Sequence, residues 1–230
     1  MRAVDPSDPL VTRLLRPLTA AIAWTAVLTQ AVLSVRHGLA RGESLVHALV
    51  DYASYFTVTT NTLVALVLTV PLLAPGSRLG RWLARPLVQA KGAAAIVVVG
   101  IAYHVLLSGS NHPTGLGWWT DLGLHYLVPP LFTAWWILDA PKHGLTARDL
   151  RWFAVYPTGY FLWIVARGAV VGEYPYFFVD VSTLGLGVAA RNALGILGFY
   201  YVVALLLFAL TRRQRLRGDA TAPTPLTEAA

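Results

Sequence analysis

Long apolar stretches dominate this chain of 230 residues and limit what it can fold into. Several of them reach about 18 residues or more, the length at which an α-helix crosses the hydrocarbon core of a bilayer. Apolar residues make up 56% of the chain, charged residues only 13%, and the mean hydropathy is +0.58. A soluble domain of this size would carry more charge on its surface. The sequence therefore predicts an all-α integral membrane protein with one membrane-embedded domain.

Changes in composition divide the chain into six predicted transmembrane spans. Segments rich in Gly, Pro and charged residues end or turn helices. They separate spans at about 18–36, 53–74, 87–108, 122–139, 151–171 and 187–210. We expect residues 1–17 to form an N-terminal tail, residues 18–210 a six-helix transmembrane domain, and residues 211–230 a basic, disordered C-terminal tail.

The distribution of basic residues predicts the orientation of this bundle. Fourteen of the 18 Lys and Arg residues lie on one side, in the two tails and in the loops after the second and fourth spans. The positive-inside rule places that side, and with it both termini, in the cytoplasm. The basic residues are spread between apolar spans, so the net charge of +7 does not indicate nucleic-acid binding. Cysteine is absent, which excludes disulfides and a thiol nucleophile.

The predicted orientation brings several polar side chains to one depth in the outer half of the bundle. At about 1.5 Å of rise per residue, Thr57, Asn61, His104 and His125 all lie within roughly 5–10 Å of the outer boundary. Ionisable side chains are costly inside a bilayer and therefore rare there. Histidine is also the side chain best suited to proton transfer near neutral pH. His125 is therefore the most informative residue, either as the base of an intramembrane enzyme or as a hydrogen-bonded core residue.

Two further side chains have alternative interpretations. Asp121 precedes His125 by four residues and shares its helix face, so its carboxylate could hold the imidazole as the third member of a triad does. It could equally cap the start of the helix, where Asp is favoured. His104 is either a second functional group or a hydrogen-bond partner for Tyr103 or a backbone carbonyl.

Four short motifs occur in an order and spacing that resemble those of a known family. The chain resembles the androgen-induced/androgen-dependent group of six-span membrane proteins, and most of all its bacterial relatives. The animal members hydrolyse fatty-acid esters of hydroxy fatty acids. The resemblance implies a lipid-ester hydrolase in a bacterial plasma membrane, with no cofactor. The matching segments are Tyr55-Phe-Thr-Val-Thr-Thr-Asn61, Trp119 to Gly-Leu-His125 with Pro129 and Pro130, Thr158-Gly-Tyr-Phe-Leu-Trp163, and Glu173-Tyr-Pro-Tyr176.

The resemblance also implies catalytic roles. The family uses an intramembrane Thr nucleophile and a His, and Gly-Leu-His followed by proline matches His125. In the family the Thr precedes the Asn or Asp of the second span by three residues, where this chain has Val58. A π-bulge of one residue would bring Thr57 to that position, and Thr60 is the second candidate.

The resulting hypothesis is ester hydrolysis through an acyl-threonine intermediate. Thr57 attacks the acyl carbonyl while His125 accepts its proton, and water then resolves the acyl-enzyme. Asn61 or Tyr103 would donate a hydrogen bond to the oxyanion.

Other functional classes remain open at this point. His104 and His125 lie at similar depth on different spans, as the axial ligands of a haem could. The polar layer could instead bind a transported substrate below an outer vestibule, or belong to a non-catalytic scaffold. A metal site is not predicted, because the sequence has neither a pair of His residues at helical spacing nor a carboxylate cluster.

Overall fold

The computed structural model describes residues 10–110, 112–142 and 144–221. These residues form helices and connecting loops, with no strand among them, so the all-α prediction is confirmed. Residues 1–9 and 222–230 of the predicted tails lie outside the described ranges. The remaining tail residues differ from the expectation, because the first helix already begins at Leu10 and the last one continues to Thr221.

Most of the described chain is α-helical, with short π-helical and 3-10 segments between the helices. The α-helices are α1 (Leu10–Ala40), α2 (Leu45–Ala53), α3 (Phe56–Leu73), α4 (Arg78–Leu83), α5 (Pro86–Ala102), α6 (Leu116–Leu122), α7 (Val128–Leu138), α8 (Val155–Val171) and α9 (Val181–Thr221). A first π segment, Tyr103–Leu107, extends α5, and a second, Gly123–Leu127, joins α6 to α7. Turns of 3-10 helix at Ala147–Trp152 and Phe177–Val179 precede α8 and α9. Helix α9 is broken at Gly185, whose φ of 76° is left-handed.

Five helical stretches in the described part of the chain are long and apolar enough to cross a membrane. They are Leu14–Ala40, Phe56–Leu73, Pro86–Leu107, Ala147–Val171 and Val181–Thr211. They correspond to all of the predicted spans except the fourth, and they indicate an integral membrane protein. The predicted fourth span falls on α6, the second π segment and α7, which form a continuous helical path from Leu116 to Leu138.

Helix α5 lies at the centre of the bundle and packs against α3, α7 and α9. Its segment Gly92–Ala95 has only small side chains, which let neighbouring helices approach closely. The large rings of Phe132, Trp135 and Trp136 on α7 fill the adjoining space and are fully buried. Helix α1 packs on α3, α6 and α7, and α8 packs against α9. This packing fixes the depth at which the polar residues of α3, α5 and the second π segment meet.

Candidate functional site

The second π segment places His125, and the prolines that follow explain its geometry. Pro129 and Pro130 have no backbone N–H, so they cannot bond the carbonyls of His125 and Tyr126 as an α-helix requires. The backbone widens instead, and the N–H of Val128 bonds the carbonyl of Gly123, five residues earlier. Such π turns are frequent at functional sites in helices.

Two glycines allow this segment to fit tightly between its neighbours. A Cβ atom on Gly123 would lie 2.8 Å from the Cβ of Ala26 on α1. A Cβ atom on Gly100 of α5 would lie 3.1 Å from the backbone oxygen of His125. Both contacts are too close for a larger residue, so the two glycines let α1 and α5 approach the backbone that carries the imidazole.

Asp121 and Tyr103 hold the His125 side chain. The imidazole Nδ1 lies 3.1 Å from both Asp121 Oδ1 and the Asp121 backbone oxygen. A carboxylate and a carbonyl only accept, so Nδ1–H is the donor and Nε2 is left as the basic nitrogen. The Tyr103 ring stacks on the imidazole, with centroids 3.6 Å apart and planes inclined by 10°. The His125 and Asp121 side chains are only 11% and 16% exposed.

The same geometry decides between the two interpretations of Asp121. Helix α6 begins at Leu116, with Gly115 at its N-cap position. Asp121 therefore lies inside the helix, so the alternative prediction of an N-terminal cap is wrong. Its carboxylate contacts the imidazole instead, as the triad interpretation expects.

Helix α3 positions Thr57 and Asn61 one turn apart, without the π-bulge that the sequence comparison suggested. The helix is a regular α-helix from Phe56 to Leu73. Asn61 is fully buried, and its Nδ2 donates to the carbonyl of Thr57 at 2.9 Å and to that of Leu124 at 3.2 Å. One amide group thus joins the backbone of the candidate nucleophile to the residue that precedes His125.

These hydrogen bonds occupy the amide group that was expected to donate to the oxyanion. Both amide protons are engaged by backbone carbonyls, so the side chain has no donor left for an oxyanion. Its Oδ1 is buried and has no hydrogen-bond partner among the described residues. In this structure Asn61 therefore positions the backbones of α3 and the second π segment and presents an acceptor.

Tyr176 contacts the candidate nucleophile Thr57. The phenol oxygen accepts a hydrogen bond from the Thr57 backbone N–H at 3.4 Å, and it also bonds the Thr57 hydroxyl. Burial raises the pKa of Tyr176, and the hydrogen bonds from Thr57 offset part of that rise. The phenol therefore stays protonated at neutral pH and can donate. Among the described residues Thr57 is hydrogen-bonded to Tyr176 rather than to His125.

Thr60, the second candidate nucleophile, faces a different helix. Its side chain is fully buried, and its hydroxyl bonds the Tyr156 hydroxyl of α8 at 2.9 Å. Tyr156 also bonds the Thr59 hydroxyl at 3.1 Å. Thr60 is therefore part of the contact between α3 and α8.

His104 and His125 have different surroundings. His104 is exposed on the first π segment, and its Nδ1 lies 3.2 Å from the Tyr126 hydroxyl. His125 is largely buried between Tyr103 and Asp121. The tyrosine partner of His104 matches neither the Tyr103 nor the backbone partner expected from the sequence. No group of three His, Cys, Asp or Glu side chains in the described ranges could hold a metal ion.

An apolar cavity of about 280 Å³ lies between α3, α5, α8 and α9. Thr57, Tyr103 and Tyr176 line it together with aliphatic and aromatic side chains. His125 does not line the cavity. Tyr103 lines the cavity and also stacks on the imidazole, so this residue contacts both.

Arg167 anchors the loop that carries Tyr176. Its side chain is only 3% exposed; Nη2 lies 3.1 Å from Asp51 Oδ1 of α2, and Nη1 donates to the Glu173 carbonyl at 3.1 Å. The ion pair ties α8 to α2 and holds the start of the segment that leads to Tyr176. Neither Tyr176 nor Arg167 is among the candidate site residues predicted from the sequence. An arginine at the depth of the polar layer, with carboxylates in the outer loops, was the available signal.

No protein-family model, curated protein or solved structure matches this chain significantly. The resemblance described above therefore depends on the four quoted segments alone.

Proposed function

We propose that the protein is an intramembrane hydrolase of lipid esters, such as fatty-acid esters of hydroxy fatty acids, with Thr57 as nucleophile and His125 as base. One observation carries the proposal. Thr57 lines an apolar cavity, and Tyr103, which also lines it, stacks directly on a histidine that is bonded to Asp121. An apolar pocket with a few convergent polar groups is the usual form of a site for small lipophilic molecules.

The Asp121–His125 pair supports the assignment of the base. With Nδ1–H donated to Asp121, the Nε2 lone pair is free to accept a proton, and the carboxylate stabilises the imidazolium that forms. Asn61 supports the pairing of base and nucleophile, because it joins the Thr57 and Leu124 backbones.

The proposed reaction has two halves. Thr57 Oγ bonds to the ester carbonyl carbon while its proton passes to His125 Nε2. The tetrahedral intermediate then expels the alkoxide, which takes that proton and leaves as the alcohol. Water attacks the acyl-threonine, gives its proton to the same nitrogen, and the acid is released as Thr57 Oγ recovers the proton.

Tyr176 is assigned the role of oxyanion donor in place of Asn61. Its protonated phenol lies against Thr57, next to the position where the carbonyl oxygen would become negative. For the proton transfer, His125 Nε2 uses its lone pair, which lies in the plane of the imidazole and is not covered by the Tyr103 ring stacked on the imidazole face.

The membrane placement of this site is part of the proposal. The continuous helical path from Leu116 to Leu138 is assigned as the fourth of six spans, so both termini lie on one side of the membrane, which the positive-inside rule makes the cytoplasm. Thr57 and His125 then lie in the outer half of the bundle, within reach of the water that hydrolysis consumes. A bacterial plasma membrane is the proposed location.

Hydrolysis by the purified protein in vesicles tests the proposal. The substrate is a fatty-acid ester of a hydroxy fatty acid, and the products are followed by mass spectrometry. Thr57→Ala and His125→Ala should abolish turnover. Thr69→Ala is the matched control, because among the described residues its hydroxyl bonds the Ala65 carbonyl alone, at the other end of α3. Equal turnover by wild type and Thr57→Ala would reject the nucleophile, and a colourless active protein would reject the haem alternative.

A further inference from the structure

The cavity lining includes exposed residues of α8 and α9. Thr158 on α8 and Leu194 on α9 both line the cavity, and both are exposed, Leu194 to 66%. Because these helices are apolar enough to span a membrane, their exposed residues face hydrocarbon. The cavity therefore borders the surface that α8 and α9 present to the bilayer.

Glycines follow both exposed lining residues. Gly159 follows Thr158 on α8, and Gly195 follows Leu194 on α9. A Cβ atom added to either glycine would have no neighbour within 4 Å. The surface next to both lining residues is therefore unobstructed.

The shape of the cavity fits an extended chain that runs parallel to the helices. Its lining on α5 and the first π segment extends from Val98 to Leu107. At 1.5 Å per residue that is about 14 Å, close to half of a hydrocarbon core of about 30 Å. The cavity thus has roughly the depth of one leaflet.

Among the described residues no charged side chain lines the cavity, and its polar side chains are the hydroxyl-bearing ones of Thr57, Tyr103, Thr158, Tyr160 and Tyr176. An ionised carboxylate or phosphate inside such a space would be costly without a charged partner. Its lining therefore favours an uncharged chain over a charged group.

We infer that the cavity binds one uncharged hydrocarbon chain, which enters from the bilayer between α8 and α9 and ends with a hydrogen-bonding group at Thr57. That this group is the scissile ester rests on the proposed function. Any free carboxylate of the substrate stays outside the cavity, and the acyl tail occupies it.

Photolabelling with a probe that cannot be hydrolysed tests this inference separately from catalysis. The probe is a single-chain alkyl ether that carries a diazirine, added to vesicles of phosphatidylcholine with the full-length protein. We expect labels on peptides of α8 and α9. A long-chain alcohol should compete at a concentration about tenfold lower than the corresponding fatty acid at neutral pH.

Two variants that plug the cavity make the test specific. Ala193→Trp fills the cavity from α9, and Thr158→Trp places the same ring at an exposed lining position on α8. Each should reduce labelling by about tenfold. Val202→Trp adds the same ring at a position on α9 that is 52% exposed and outside the cavity lining, and should leave labelling unchanged.

The outcomes separate the inference from the proposed function. Wild-type labelling in both plugged variants, or stronger competition by the fatty acid, would overturn the inference even if the protein hydrolyses esters. Thr57→Ala should still be labelled, because the probe needs no nucleophile. If labelling follows the prediction but the protein does not hydrolyse the ester, the proposed function is rejected and the inferred binding site is retained.

Discussion

The phenol ring of Tyr103 lies flat on the imidazole of His125, with 3.6 Å between the ring centroids and 10° between the planes. The other partner of the imidazole is Asp121, one helical turn away. These two contacts fix the orientation of the ring on both its face and its edge. Tyr103 is therefore the residue that contacts both the cavity and the histidine.

The ring of Tyr103, rather than its hydroxyl, should matter for the proposed reaction. Tyr103→Phe keeps the stacked ring and the cavity wall, so its kcat should stay within about threefold of wild type. Tyr103→Leu loses the stack that orients His125, and its kcat should fall by at least about tenfold. The kcat values of both variants, measured in vesicles, check this. A larger loss in Tyr103→Phe than in Tyr103→Leu would contradict it and favour the hydroxyl as oxyanion donor.

Asp121→Asn should lower kcat by at least about 100-fold, because an amide no longer fixes the Nδ1–H tautomer or stabilises the imidazolium. Thermal unfolding of the variant shows whether the fold is retained. Asp139→Asn is the matched control, since Asp139 accepts from the Trp135 indole at 3.0 Å and lies outside the site. A kcat for Asp121→Asn equal to that of the control would argue that Asp121 does not act on the base.

Asn61→Leu should destabilise the protein. The substitution leaves the carbonyl of Leu124 without its amide donor inside an apolar environment, which costs about 1–3 kcal/mol. Equilibrium unfolding in mixed micelles measures the change. Thr69→Val, which removes only a local hydrogen bond to Ala65, should cost less than about 1 kcal/mol. Similar losses of unfolding free energy in the two variants would show that the Asn61 hydrogen bond between α3 and the second π segment contributes no more than a local hydrogen bond.

Arg167→Met should loosen the loop that carries Tyr176. The variant leaves Asp51 and the Glu173 carbonyl without their cation, and because Asp51 is 27% exposed we expect a loss of about 2 kcal/mol, below the value for a fully buried pair. Hydrogen exchange should accelerate in residues 173–180. Arg191→Met, at an exposed position, is the control. Unchanged hydrogen exchange in Arg167→Met would show that the ion pair does not stabilise the loop.

Tyr52 should make the protein sensitive to alkaline pH. Its hydroxyl donates to the Val27 carbonyl at 2.7 Å, and burial raises the pKa of Tyr52 from its ordinary value of 10 to about 12. Because the folded pKa is the higher one, the stabilisation is complete below about pH 10 and is lost as the pH rises through about 12. Tyr52→Phe should therefore cost about 1 kcal/mol near neutral pH and progressively less towards pH 12. A difference that grows with pH would contradict this.

Features set by local sequence were the predictable ones. Hydropathy located the helices, because about 18 consecutive apolar residues suit a span and little else. The i, i+4 spacing placed Asp121 beside His125, and helix direction placed Thr57 and Asn61 in one layer. These relations need only the geometry of a single helix or the common depth of several.

Features that depend on packing between elements were missed. The π turn was expected in α3, although the Pro129–Pro130 pair after His125 was the stronger signal for a widened backbone. The cap role of Asp121 was wrong because the helix starts earlier, at Leu116. Tyr176 lies 119 residues from Thr57 in sequence, and only the folded loop behind Arg167 brings them together.

The most direct test of the central claim is the identity of the residue that carries the covalent intermediate. The protein is incubated in vesicles with a long-chain alkyl fluorophosphonate, digested, and analysed by tandem mass spectrometry, with His125→Ala as a variant in which the nucleophile is not activated. We expect a phosphonylated Thr57 in wild type and a strongly reduced signal in His125→Ala. Modification of Thr60, or of Thr57 to the same extent in both proteins, would contradict it.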